Sequence, residues 1–168
     1  MIQLRPTVGE DLPDLLRWVG SEAQMVLWSG PKFSWPLDVE QLEAYLTESR
    51  AGTRLIWTAS DSRSAAPVGH VSLAFQDNGT TGRLGRVLVA ANARHLGHGR
   101  AITQAAVTAG FDQSSIEALT LGVYRHNTIA CHLYEQLGFK TTAIMKSSVT
   151  VDGEPWDNIE MRLPRHCT

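Results

Sequence analysis

The chain has 168 residues, 43% of them hydrophobic, which suits a single domain over residues 1–168 with a sizeable core. A net charge of −2 and a pI near 6.3 lack the basic footprint of general nucleic-acid binders. The sequence holds no apolar run long enough to span a membrane, no signal-peptide core at its start and too few cysteines, Cys131 and Cys167, for a disulfide framework. We expect a cytoplasmic monomer or homodimer without nucleic-acid or membrane partners.

The N-terminal part predicts a strand and then a helix. Residues 1–5 alternate apolar and polar side chains, a strand pattern that Pro6 ends. A helix follows from about Asp11, preceded by a capping-box pattern of Thr7 and Glu10. Its buried stripe is formed by Leu12, Leu15, Leu16 and Val19.

Residues 25–36 predict a loop, because two prolines and Gly30 interrupt any helix. The loop contains three candidate substrate-binding residues: Trp28, Phe33 and Trp35. Such aromatic side chains either line a pocket or cap the core, and both alternatives remain open. Asp38 and Gln41 then form a second capping-box pattern, for a helix that ends at about Ser49.

Three strands follow, over residues 55–59, 68–75 and 83–90, and they predict an antiparallel meander. The dipeptide Asn78-Gly79 between the second and third strands is a strong hairpin signal. In the second strand, His70 and Ser72 alternate with apolar residues, so we expect them on the opposite face.

The stretch around residue 95 combines a buried strand, a glycine-bearing turn and a helix. Val87, Leu88 and Val89 form the strand, and Gly97 and Gly99 open a helix predicted over residues 100–112. Unpaired N–H groups and the positive end of the helix dipole make such a turn an anion site, and phosphate is its natural ligand. A dinucleotide fingerprint would require a further glycine where Ile102 stands, and the P-loop pattern is absent.

The remaining segment predicts a strand, a helix and a final pair of strands. The strand over residues 118–123 follows its predecessor through a helix and should lie parallel to it. Asn127 caps a helix that reaches Leu137 and is closed by Gly138. The last two strands, residues 139–151 and 158–163, are joined through Asp152–Pro155. This order predicts a mixed α/β (α+β) sheet.

Two motifs carry a family resemblance. Arg94-x-x-Gly97-x-Gly99 resembles the pyrophosphate-binding motif of the GNAT acetyltransferase superfamily. Asn127-x-x-Ala130-x-x-x-Tyr134-Glu135-x-x-Gly138-Phe139 resembles that superfamily's second conserved block. The aromatic loop and the C-terminal hairpin are similar to the branch that includes the RimJ/RimL-type N-terminal protein acetyltransferases.

The resemblance implies a GNAT-like fold, with about seven strands, about four helices and a splay between the two parallel central strands. It implies acetyl-CoA as co-substrate, without a metal, and Tyr134 as the proton donor to the departing thiolate. The residues it implies for binding acetyl-CoA are Val87, Leu88, Val89, Arg94, His95, Leu96, Gly97, His98, Gly99, Arg100, Asn127 and Tyr134.

The chain departs from the family at one position. Related N-terminal acetyltransferases use a glutamate on the strand before the second block as the base, and Gly122 stands there. Three titratable candidates could relay the proton through water: His70, Asp157 and Glu160.

We therefore expect transfer of an acetyl group to a primary amine, with a protein N-terminal α-amine as the first hypothesis. The alternatives are a small amine (an amino acid, a polyamine or an antibiotic) and a non-catalytic module that binds acetyl-CoA.

Overall fold

The computed structural model describes residues 1–165, which form seven β-strands and five α-helices. The strands are β1 (Ile2–Pro6), β2 (Arg54–Asp61), β3 (Pro67–Gln76), β4 (Thr81–Val89), β5 (Ala118–Tyr124), β6 (Lys140–Val151) and β7 (Glu154–Pro164). The helices are α1 (Leu12–Trp18), α2 (Glu22–Ser29), α3 (Val39–Arg50), α4 (His98–Phe111) and α5 (Thr128–Gln136). Cys167, which we expected to form no disulfide, lies outside the described residues.

All seven strands belong to one sheet, in the order β1-β2-β3-β4-β5-β7-β6. Neighbouring strands are antiparallel except for β4 and β5, which pair in parallel from Thr81 opposite Ala118 to Arg83 opposite Thr120. Beyond these three positions the two strands separate. The predicted mixed sheet with a splay between its parallel central strands is confirmed.

Helices cover both faces of the sheet and bury a core on each. On one face, α1, α2 and α3 pack through residues such as Leu42 and Tyr45, and on the other α4 and α5 surround Ile102 and Phe139. The expected alternation in β3 is present, but both of its faces are buried. His70 therefore has no exposed surface, although it lies opposite the apolar face of its strand.

The predicted loop over residues 25–36 is wrong in its first part, because α2 extends to Ser29. Ser21 caps this helix, since its hydroxyl oxygen accepts a hydrogen bond of 3.2 Å from the Gln24 backbone N–H. The Ser21-x-x-Gln24 pattern predicts a helix start and would have revealed α2. The structure thus has five helices where about four were expected.

The first helical region also starts differently from the predicted Thr7–Glu10 pattern. The Asp11 carboxylate accepts a hydrogen bond of 2.9 Å from the Val8 backbone N–H, and it binds the Arg5 guanidinium through contacts of 2.6 and 2.8 Å. Burial alone would raise the pKa of Asp11, but the hydrogen bonds from Arg5 and Val8 outweigh it and lower that pKa. Asp11, rather than Glu10, therefore fixes the helix start.

The C-terminal hairpin turns more tightly than predicted. Val151 pairs with Glu154, so the connection is the dipeptide Asp152-Gly153, and β7 starts four residues before Asn158. Both turn residues have left-handed backbones, with φ of +50° and +79°. This is the conformation that an Asp-Gly hairpin turn favours.

Candidate active site

The separation of β4 and β5 leaves one edge of β4 without a strand partner. After the last shared pair, β4 remains bonded to β3 on its other side, with Leu88 opposite His70 and Val89 opposite Gly69. The backbone groups that face β5 resemble those of a sheet edge. An extended ligand that contains amide groups can pair with such an edge.

A cavity of about 190 Å³, called the gap cavity, lies where the two strands separate. Four residues that the resemblance implied for cofactor binding line it together: Val87, Gly99, Asn127 and Tyr134. They come from β4, the start of α4 and α5, and the fold brings them to one place. Asn127 also caps α5, because its side-chain oxygen accepts a hydrogen bond of 3.3 Å from the Ala130 backbone N–H.

Tyr134 is held in α5 with 8% of its surface exposed, and its ring packs against Phe139 at 6.1 Å between centroids. Burial raises the pKa of Tyr134 to about 12, so the hydroxyl stays protonated at neutral pH. Burial also raises the pKa of the Cys131 thiol, one turn earlier. Cys131 is therefore held as the neutral thiol rather than as the nucleophilic thiolate.

The turn before α4 has the backbone expected of an anion site. His95 and Gly97 adopt left-handed conformations, with φ of +63° and +79°, and α4 begins at His98. The Arg94 side chain folds back and donates to the Val89 carbonyl oxygen at 3.3 Å, while Arg100 donates to Gln136 at 2.8 Å. The backbone N–H groups at the helix start can meet an anion, and each of these two exposed arginines keeps further donors that its one hydrogen bond does not use.

Several of the other predicted cofactor residues lie outside the gap cavity. Leu88 and Val89 pair with β3 and pack into the cores. Leu96 is 68% exposed in the turn. These positions lie along the edge of β4 and around the start of α4.

A second cavity of about 400 Å³, called the wide cavity, adjoins the first. The two cavities share six lining residues: Leu27, Trp28, Leu84, Gly85, Arg86 and Gly122. The wide cavity extends from this junction across β4 and β5 to β7, α2 and β6. A ligand in one cavity can therefore meet a ligand in the other.

The three predicted substrate-binding aromatic residues have different positions. Trp28 lines both cavities, and its indole N–H donates to the Arg86 carbonyl oxygen at 2.8 Å. Phe33 stacks behind Trp28 at 5.6 Å between ring centroids and lines neither of these cavities. Trp35 is 42% exposed and also lies outside both. The fold brings one of the three to the cavity wall.

Gly122 lies at the junction of the two cavities, and polar side chains occupy the space that a side chain at this position would need. A Cβ atom at this position would lie 2.8 Å from the Arg83 guanidinium and 3.1 Å from the side-chain oxygens of Asn158 and Glu160. Arg83 binds the Glu160 carboxylate through contacts of 2.7 and 2.9 Å, and the Asn158 amide donates to the same carboxylate at 2.7 Å. An ion pair therefore lies next to Gly122, the position at which the family resemblance would place a glutamate base.

The three candidate bases differ in where they lie: His70 is enclosed in the core, Glu160 lines the wide cavity within an ion pair, and Asp157 lines neither cavity. His70 is fully buried, and burial, aided by the positive charge of Arg86, lowers its pKa to about 3. Burial opposes the ionisation of Glu160, but Arg83 and Asn158 outweigh it and lower that pKa. Asp157 accepts a hydrogen bond from the Ser147 backbone N–H and lines neither cavity.

The arginines that line the wide cavity, Arg54, Arg83 and Arg86, were not predicted from the sequence as site residues. Arg86 and Val87 together oppose Val71 of β3, which makes a β-bulge, and Arg86 has a φ of +54°. In a regular strand, side chains three positions apart point to opposite faces, yet Arg83 and Arg86 both line this cavity. The sequence did offer one signal for them: Arg83 and Arg86 lie within a predicted strand whose other end is apolar, and charged residues in such a strand indicate a polar cavity.

No cluster of three His, Cys, Asp or Glu side chains that could hold a metal ion occurs within residues 1–165. Over the same range, every helix is too short or too polar to cross a membrane.

The family model described as "Acetyltransferase (GNAT) family" matches residues 22–139, more than half of the chain. The chain belongs to this family. It is accordingly an acetyl-CoA-dependent acyltransferase, and its two motifs lie at the turn before α4 and on α5, where the gap cavity is built.

Solved structures of N-acetyltransferases share the fold over nearly the whole chain. Spermidine N-acetyltransferase from Vibrio cholerae, in complex with CoA and spermine, superposes with a TM-score of 0.86 at 19% identity, over 98% of this chain and 95% of that one. Ribosomal-protein-alanine N-acetyltransferase from Brucella melitensis gives 0.77 at 22% identity, over 96% and 99%. A putative phosphinothricin N-acetyltransferase gives 0.78 at 18% identity, over 98% of each chain. At these identities the likeness shows the fold alone.

Proposed function

We propose that this chain transfers an acetyl group from acetyl-CoA directly to a primary amine, which enters through the wide cavity. The observation that carries the proposal is the junction of the two cavities. The gap cavity contains Tyr134 and the free edge of β4, and it opens into a second cavity large enough for a small amine or the end of a peptide.

The residues of the gap fit acetyl-CoA, whose role is to supply an activated acetyl thioester. The edge of β4 at Val87 can pair with the amide groups of the pantetheine arm. The N–H groups of residues 95–100 and the start of α4 suit a pyrophosphate. A Cβ atom on Gly99 would make only an ordinary contact of 3.7 Å with the Val89 side chain, so packing within the chain does not require a glycine here.

In the transfer, a bond forms between the amine nitrogen and the acetyl carbon, and the bond between that carbon and sulfur breaks. The amine loses a proton, and the departing thiolate gains one. The Tyr134 hydroxyl is the donor that the gap cavity offers to the sulfur. In the net reaction, the proton that leaves the amine nitrogen ends on the CoA sulfur. Because the pKa of Tyr134, about 12, exceeds the ordinary thiol value of about 8.5, we infer that its hydroxyl stabilises the departing sulfur through a hydrogen bond, and that any proton it gives up is restored by the proton from the amine.

The missing base favours an amine that loses its proton easily. An N-terminal α-amine has a pKa of about 8, whereas a lysine-type alkylamine has a pKa of about 10.4. At neutral pH the neutral fraction of the α-amine is therefore larger by a factor of over 100. This difference supports an α-amine acceptor, such as the N-terminus of a protein, and keeps the RimJ/RimL-like assignment as part of the proposal.

Release of CoA from acetyl-CoA over a panel of short peptides, amino acids and alkylamines tests this function. We expect turnover on at least one class of amine, and a kcat lower by roughly 100-fold or more in Tyr134→Phe, since general acid catalysis contributes about 10²–10⁴-fold. Calorimetry should show that the variant still binds acetyl-CoA. Tight acetyl-CoA binding with no turnover on any amine would instead indicate the non-catalytic module.

A further inference from the structure

We propose that the amine acceptor carries a carboxylate close to its reacting nitrogen, and that the cations of the wide cavity select it. This inference rests on the proposed acetyl transfer and names the class of acceptor. The carboxylate can belong to a free amino acid or to an acidic residue at the start of a peptide.

The wide cavity is strongly cationic although the whole chain has a net charge of −2. Four basic side chains line it: Lys32, Arg54, Arg83 and Arg86. Glu160 is the one acidic residue among the lining residues of this cavity, and it is already bound to Arg83. A polycation would meet repulsion in this cavity, whereas an anion would be attracted.

The ion pairs behind the cavity leave an excess of positive charge. Glu48 accepts a hydrogen bond of 2.8 Å from Arg54, but it does not line the cavity. Counting Glu48 together with Glu160, two acids stand against four cations. The exposed Lys32 adds its charge at the wall formed by the segment after α2.

Arg86 is the most buried of the three arginines that line this cavity. Its side chain is 9% exposed, and its guanidinium lies over the ring of Tyr45 at 4.1 Å and over that of Phe33 at 5.2 Å. One of its nitrogens, Nη1, is buried without a hydrogen-bond partner, and the Glu48 carboxylate is 4.0 Å away. This nitrogen is closed to solvent, so a ligand has to meet the part of Arg86 that lines the cavities. A carboxylate is the partner that matches a guanidinium in shape.

Arg86 also defines where that carboxylate must lie. It lines both cavities, so it stands at the junction where the amine has to meet the thioester. An acceptor with its carboxylate a few bonds from its nitrogen can contact Arg86 while its amine reaches the junction. Arg83 lies beside Gly122 at the same junction, and Arg54 lines the wide cavity alone. A second acidic group or a longer acidic side chain could meet these two arginines.

Matched pairs of acceptors test this inference. Initial rates, each divided by the fraction of the amine that is neutral at the assay pH, are measured for α-amino acids, including glutamate and alanine, against their own α-carboxamides, and for tripeptides with Asp against Asn as first residue. Spermidine serves as the polycation. We expect kcat/KM to be at least tenfold higher for the carboxylate than for the matching amide in one of the two sets. A preference among the amino acids indicates a free amino acid as acceptor, and a preference among the tripeptides indicates a peptide. Equal values for both members of every pair, or preference for spermidine, would overturn the inference.

Charge-removing variants locate the effect. Arg86→Gln should raise the KM of the carboxylate acceptor by roughly 10- to 100-fold more than that of the carboxamide, the range expected for a lost hydrogen bond between charged groups. Lys32→Gln removes an exposed charge without disturbing the core and should raise the same KM by a few fold. Arg63→Gln is the matched control, because Arg63 lies in the exposed turn between β2 and β3 and lines neither cavity. It should change neither the KM of the carboxylate acceptor nor that of the carboxamide.

Binding without turnover separates this inference from the proposed function. The N-acetylated form of the carboxylate acceptor has no reactive amine, and calorimetry compares its binding with that of its carboxamide. Preferential binding of the carboxylate form, lost in Arg86→Gln, supports the inference even when no amine is acetylated. Equal binding of both forms by an enzyme that does acetylate amines refutes the inference alone.

Discussion

The gap cavity and the wide cavity adjoin, yet the sequence encodes them in different ways. The walls of the gap cavity come largely from one continuous part of the chain, β4 to α5, and include two motifs with fixed spacing. The walls of the wide cavity come from α2, from the segment that follows it and from six of the strands, where single residues converge. Chemistry that every family member shares can be encoded locally, whereas acceptor choice depends on residues that the fold brings together.

The two cavities also differ in charge. Arg86 is the one charged side chain among the described residues that line the gap cavity, whereas the wide cavity adds three further cations and one acid. We therefore expect changes near the gap cavity to alter stability and kcat. Changes in the wide cavity should alter the acceptor KM.

The largest expected effect is on the core behind the gap cavity. Phe139 is fully buried and supports the ring of Tyr134. Phe139→Ala should lower the free energy of unfolding by about 3–5 kcal/mol, because it leaves a cavity in the core. Urea denaturation measures the change, and kcat should fall with it. Trp35→Ala, on an exposed ring outside both cavities, should change stability by no more than about 0.5 kcal/mol.

The next effect concerns pH and the buried His70 behind the wide cavity. Its pKa in the folded state is about 3, against 6.5 as the ordinary value, so the unfolded chain takes up the proton first as the pH falls. Stability is therefore fully present above about pH 6.5 and decreases below it, with a limiting slope of about 1.4 kcal/mol per pH unit. Urea denaturation between pH 6.5 and 5 tests this slope. His70→Gln, which does not titrate, should flatten it, and an equal slope in both proteins would contradict the burial argument.

Gly122 lies in both cavities and tests the boundary between them. The Cβ atom of Gly122→Ala would lie 2.8 Å from Arg83 and would push on its ion pair with Glu160. We expect a stability loss of about 1 kcal/mol, since the contacts are with side-chain ends that can shift. The acceptor KM should change several-fold. The affinity for acetyl-CoA, measured by calorimetry, should stay constant, and a loss of that affinity would show that the two cavities are not separable.

The smallest effect is expected from Glu160→Gln. Because the pKa of Glu160 is lowered, its contribution to stability is present above the ordinary value of 4.5 and is lost as the pH falls through the lowered pKa. The variant should be less stable at pH 7 by about 1 kcal/mol or less, as for a partly exposed ion pair, and the difference should vanish in acid. With Arg83 released, the KM for a carboxylate acceptor should fall. An increase in that KM would argue against the cationic selection.

Much of the fold followed from local patterns, and the failures were local as well. The splayed parallel pair, the hairpins and the helix that carries Tyr134 could be predicted because turn residues, caps and motifs mark them. α2 was not predicted, because Gly30, Pro31 and Pro36 are helix breakers and indicated a loop, whereas the cap at Ser21 is the one local signal for the helix. The cations of the wide cavity could not be placed from sequence, since the bulge at Arg86 decides which face its side chain joins.

One competition experiment tests the central claim, that the gap cavity delivers an acetyl group and the wide cavity selects a carboxylate-bearing amine. The wild-type protein is incubated with acetyl-CoA and an equimolar mixture of amino acids, their carboxamides, Asp- and Asn-initiated tripeptides and spermidine, and mass spectrometry identifies the acetylated products. We expect the dominant product to be an N-acetylated amine that also carries a carboxylate, either a free amino acid or an Asp-initiated peptide. Predominant acetylation of spermidine or of the carboxamides would contradict it.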